Sequence, residues 1–118
     1  MYLAMSQSSY HLQLTQKLAL FSARLDELID EVARYESQSL PPELVDELAI
    51  TTGEIALVLM EHLCTHQTNH LIRQALTDAT RLKEGARSPS PQREQLKAAI
   101  TVLTREVEEI IREDKRAA

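Results

Sequence analysis

Apolar residues recur through the first third of the chain in alternating steps of four and three: Leu14, Leu18, Phe21, Leu25, Leu28, Val32 and Tyr35. That is an unbroken a/d heptad seam, and it predicts one helix over about residues 8–36. Pro41 disfavours a helical Leu40 and Pro42 suits a first helical turn, so SQSLPP closes the first helix and opens the second. No strong stop follows until Gly85, which predicts a second helix over 42–85, about 65 Å long at 1.5 Å per residue. Leu44, Val45, Leu48, Thr52, Ile55, Leu59 and Leu63 lie on one face of it, whereas Leu57, Met60, Cys64, Leu71, Ala75 and Leu82 lie on the opposite face. The buried face therefore changes partner midway. The mediocre helix formers Thr65, Gln67, Thr68 and Asn69 mark where a break would fall, as the alternative to a continuous helix. After GARSPSP, Ser90 reads as an N-cap with Pro91 at the first helical position. Leu96, Ile100, Leu103, Val107 and Ile110 then form another four-three seam in a helix over 91–116 that frays at the charged tail REDKRAA.

These patterns predict an all-α fold: one domain over 1–118, an antiparallel helical bundle of three long helices. The first helix should cover the N-terminal half of the second and the third its C-terminal half. Each leaves part of the long helix bare, so a homodimer is expected to complete a four-helix or six-helix bundle. Leu57, Leu59, Met60, Cys64, Leu71, Leu96, Ile100, Leu103 and Val107 are the expected interface.

Composition supports this picture. With 118 residues, 43% hydrophobic and 26% charged, the chain can bury one core, and 3% aromatic content without Trp suits knobs-into-holes packing of Leu, Ile and Val. Cys64 is the lone cysteine, so no intrachain disulfide can form and a reducing, cytoplasmic setting is expected. MYLAMSQSS lacks a basic start followed by an apolar run, and no stretch approaches the roughly 18 apolar residues of a membrane span, so no membrane partner is expected.

Chemistry has one candidate constellation. His62, His66 and His70 stand at i, i+4 and i+8, and a hairpin turning near residue 40 would set His11 opposite them. Imidazoles spaced by one helical turn can share a transition metal or a haem iron, with one from a neighbouring helix completing the site. No carboxylate falls on that face to orient the rings, which favours half-exposed histidines at a bundle end. Crowded imidazoles at a dimer seam would also repel one another as they protonate near pH 6.

Asp26, Glu27, Asp30, Glu31, Glu36, Glu43, Asp46 and Glu47, against Arg34 alone, make an acidic end. The pairs Glu27/Asp30 and Glu43/Asp46 resemble the ExxE and ExxD pairs of helical nucleotide pyrophosphohydrolases of the MazG kind. The resemblance implies Mg²⁺-dependent nucleotide hydrolysis at those four residues. Glu27 and Asp30 depart from that pattern by falling at outward c and f positions, and no basic or aromatic residues stand nearby to take a nucleotide. A solvated acidic face accounts for them more simply. Residues 73–105 carry seven bases against three acids, but a net charge of −5 and the lack of interleaved aromatics argue against nucleic acid. No nucleophile triad, phosphate loop or CxxC pair is present. The expected function is a non-enzymatic, dimeric protein–protein interaction module, an adaptor, chaperone or regulator without a cofactor, with the metal-binding and Mg²⁺-hydrolase readings as alternatives.

Overall fold

The computed structural model describes residues 7–35, 39–64, 68–89 and 92–117, and these form an up-down-up-down bundle of four helices. Helix α1 spans Gln7–Ala33, α2 Pro42–His62, α3 Asn69–Ala86 and α4 Arg93–Ala117. Pro42 stands in the first turn of α2, with Pro41 extended before it, as its fixed φ favours. The expected Ser90 cap lies outside the described residues.

The continuous second helix is corrected and the alternative of a break near 65–69 holds: the chain divides between His62 and Asn69 into two helices, α2 and α3, folded back on each other. The change of apolar face near residue 60 is the physical reason. One straight helix would hold the two faces on opposite sides of the rod, while a reversal turns both toward a single core. Leu44, Leu48, Ile55 and Leu59 of α2 and Ile72, Ala75, Ala79 and Leu82 of α3 are buried together.

Four contacts fix the antiparallel order. Lys17 reaches Glu61 at 3.8 Å between α1 and α2, and Lys83 of α3 lies across Gly53 of α2. Leu96 of α4 packs 3.6 Å from where a side chain on Gly85 would begin, and Thr15 of α1 donates to Asp114 of α4 at 3.1 Å. Ala75, Ala79 and Ala86 keep the inner face of α3 low, so its neighbours can approach closely.

The first and third expected seams hold residue by residue. Leu14, Leu18, Leu25, Leu28 and Val32 are buried on α1, with Phe21 and Tyr35 half-buried. Leu96, Ile100, Leu103, Val107 and Ile110 are buried on α4. The core they fill is the chain's own, because α1 and α4 close the ring around α2 and α3. The fraying expected from residue 112 does not occur; α4 runs on, and Asp114 occupies the next seam position, fully buried. Among the described residues, no helix is long and apolar enough to cross a membrane.

Candidate functional site

Closure of the ring sorts the expected interface residues into two groups. Leu59, Leu96, Ile100, Leu103 and Val107 are at most 3% exposed, and Leu71 packs half-buried against them; they stabilise the monomer fold. Leu57 and Met60 remain 62% and 58% exposed, and Cys64 is an exposed free thiol. Ile50, 60% exposed, joins them one heptad before Leu57.

Ile50, Leu57 and Met60 form a ridge along α2, opposite its buried stripe, and Cys64 lies in the turn just beyond its end. Two residues at 100° each separate Leu57 from Leu59 by roughly 200° around the helix, which is why one is bare and the other sealed. A groove runs along each side of the ridge. The one toward α1 is lined by Leu20, Phe21, Arg24, Glu47 and Glu54, and Leu20 is itself 73% exposed. The one toward α3 is lined by Ala56, Ala79, Thr80, Lys83 and Arg87, with Glu54 bordering this groove as well as the first. Arg24 pairs with Glu47 at 3.3 Å across the first groove. Among the described residues, the backbones of α1 and α2 approach each other at fewer places than those of the other adjacent helices, and the ridge borders that seam.

The histidines do not form the expected row. The turn after His62 separates it from His70, so the i, i+4, i+8 spacing does not run along one helix. His62 is buried, and its Nδ1–H donates to the carbonyl of Val58, one turn back, at 2.9 Å. His70 is exposed on the first turn of α3. His66 lies outside the described residues, as does the side chain of His11. Among the described residues no three or more His, Cys, Asp or Glu side chains are grouped to hold a metal ion. Asp26, Glu27, Asp30, Glu43, Asp46 and Glu47 are exposed and Glu31 is half-buried, while Glu36 lies outside the described residues. This arrangement is the solvated acidic face that the outward heptad positions imply.

One titratable site escaped the sequence reading. Glu106 of α4 has both carboxylate oxygens sealed from water, with no partner at hydrogen-bonding distance and angle. Burial pushes its carboxyl up from 4.5 to about 7, and the facing Asp78 carboxyl adds to the rise. The Gln74 amide holds the rise back, and Glu109, one turn along, adds a little to it. Arg81 stands 3.6 Å from Asp78 on its outer side. Glu106 flanks the seam residues Leu103 and Val107, and Asp78 flanks Ala79; those flanking positions were the available signal. The site lies within the α3–α4 contact and therefore acts first on stability.

Nothing beyond the chain itself names this arrangement. No family model matches the sequence, and no curated protein or solved structure is significantly similar to it. Among the described residues, the exposed large apolar side chains are Leu20 on α1, Ile50, Leu57 and Met60 on α2, and Val102 on α4, so the ridge on α2 gathers most of them.

Proposed function

We propose that this protein is a non-enzymatic protein–protein interaction module that docks its partner on the α2 ridge. The observation that supports this reading is the pairing of a filled core with one unfilled stripe. Every a/d position of the α4 seam is buried within the chain, yet Ile50, Leu57 and Met60 stand in water at the spacing a helix partner recognises. The grooves on either side would receive the partner's side chains. A cytoplasmic setting, in which Cys64 stays reduced, belongs to the same proposal.

A photo-cross-linking residue at Leu57, introduced in cells, tests it against the same residue at Glu108, which is exposed on α4. Discrete adducts from position 57 and none from position 108 are expected. Equal labelling from both positions, or none from 57, would remove the ridge as a docking surface.

A further inference from the structure

We infer that the occupant of the α2 ridge is a second copy of this chain, with the two α2 helices packed in parallel about a two-fold axis that runs along them. The inference rests on reading the ridge as the docking surface and adds the partner's identity and direction.

Ile50, Gly53, Leu57 and Met60 follow steps of three, four and three, and Cys64 is the next position of that series. The seam is apolar except where Gly53 lowers it, and there Lys83 Nζ lies 3.8 Å from where a side chain would begin. The two flanks differ in net charge. Toward α1 stand Glu47, paired with Arg24, and Glu61, paired with Lys17, while Glu54 stands at the ridge and lines both grooves. Toward α3 stand Lys83 and Arg87.

Symmetry then decides the direction. A two-fold axis parallel to α2 lays the α3 flank of one copy over the α1 flank of the other. Lys83, level with Gly53, then faces the partner's Glu54, and Arg87 faces the partner's Glu47. An antiparallel pair would set α3 against α3 and bring the two Lys83 ammoniums together. A foreign helix with a single sign of charge would satisfy one flank and repel the other, whereas a second copy satisfies both.

Size sets the strength. From Ile50 to Met60 the helical seam is about 15 Å long at 1.5 Å per residue, with Cys64 in the turn beyond it making about 20 Å in all, and the rod is 20–23 Å across. The footprint is at most roughly 450 Å² per protomer, about half the ~800 Å² of a standard interface, so a weak, concentration-dependent dimer is expected.

Sedimentation equilibrium of the untagged full chain, from about 1 to about 500 µM, should show mass rising from monomer to dimer. Leu57→Glu should remain monomeric throughout while keeping its helical circular dichroism. Lys83→Glu and Glu54→Lys should each weaken the dimer about tenfold, because each disturbs two symmetry-related pairs, and the double exchange should restore it. A short bis-maleimide should join Cys64 to the partner's Cys64, which an antiparallel seam would hold about 20 Å apart. Monomer at every concentration, a double exchange that restores nothing, or no Cys64 cross-link in the dimer overturns the inference. Adducts of Leu57 with other proteins, alongside a purified monomer, would overturn self-pairing and leave the docking reading standing. Loss of both signals would remove the two together.

Discussion

Glu106→Gln should make the protein more stable above neutral pH and leave it unchanged in acid. The cause is the sealed carboxyl between α3 and α4, raised to about 7 by burial and by Asp78. Below pH 4.5 the group is protonated whether the chain is folded or unfolded, so it does not affect the balance. Between 4.5 and about 7 the unfolded chain releases the proton while the folded chain keeps it, and stability falls as pH rises. Above about 7 the loss is complete and constant. A rise from 4.5 to about 7 corresponds to about 3 kcal/mol at ~1.4 kcal/mol per pH unit. The residue as a whole is only half-buried, and the solvent close by screens the site, which brings the expected cost to about 2 kcal/mol. Glutamine has nearly the same shape, does not ionise, and its amide can donate to Asp78. Thermal unfolding of both proteins at pH 4.5, 6, 7 and 8 isolates the term, because all other titrating groups are common to the pair. The melting temperature of the variant should exceed that of the parent by roughly 6–10 °C at pH 8 and converge with it at pH 4.5. Parallel curves, or a difference that grows toward acid, would refute the account of Glu106.

Three further expectations follow from the same packing. Leu103→Ala, at a position with no exposed surface, should cost about 3–4 kcal/mol in urea unfolding, and a cost under about 1 kcal/mol would mean that the α4 seam is not core. Thr15→Val removes the hydroxyl that donates to buried Asp114 and should cost about 1–2 kcal/mol; an unchanged midpoint would show that this bond contributes nothing net. Gly53→Ala places a methyl in ordinary contact with the mobile end of Lys83, so the gain in helix propensity should raise monomer stability by about 0.5–1 kcal/mol, and a loss would show that Gly53 is needed for the fold.

The seams of α1 and α4 were legible because heptad periodicity needs nothing beyond the chain. The division of α2 from α3 was not settled by that periodicity, since no Gly or Pro falls between Leu63 and Asn69 and the cap residue Thr68 makes no capping bond. What decides it is tertiary: the reversal sends two opposed apolar faces into one core, and no local propensity records that gain. The switch of face near residue 60 was the sequence trace of this reversal, and it admits either a second partner or a turn. Taking it for a second partner assigned Leu59, Leu96, Ile100, Leu103 and Val107 to a dimer, although they fill the chain's own core. The same reasoning picked out Leu57, Met60 and Cys64 as uncovered, and they stay exposed once the ring is closed. Asp114 was legible too, as the seam position after Ile110, had charge not been taken as a sign of fraying.

Leu57 and Leu59 separate the fold from its docking surface by two residues of sequence. A bundle helix needs one apolar stripe, and α2 carries a second, so equal chemistry at the two positions must have unequal effects. Leu59→Gln buries an amide in a site with no exposed surface and removes core packing as well, which should cost about 4 kcal/mol or more and unfold much of the protein. Leu57→Gln changes a side chain that is 62% exposed, so the monomer fold should shift by no more than about 0.5 kcal/mol. Urea unfolding of the two variants beside cross-linking from Ile50 gives the contrast directly. Leu59→Gln should lose the cooperative transition, while Leu57→Gln should keep the transition and lose the adduct. If Leu57→Gln unfolds the chain as readily, the stripe belongs to the core and the ridge has no separate role; if it keeps both the fold and the adduct, the partner is held elsewhere on the rod.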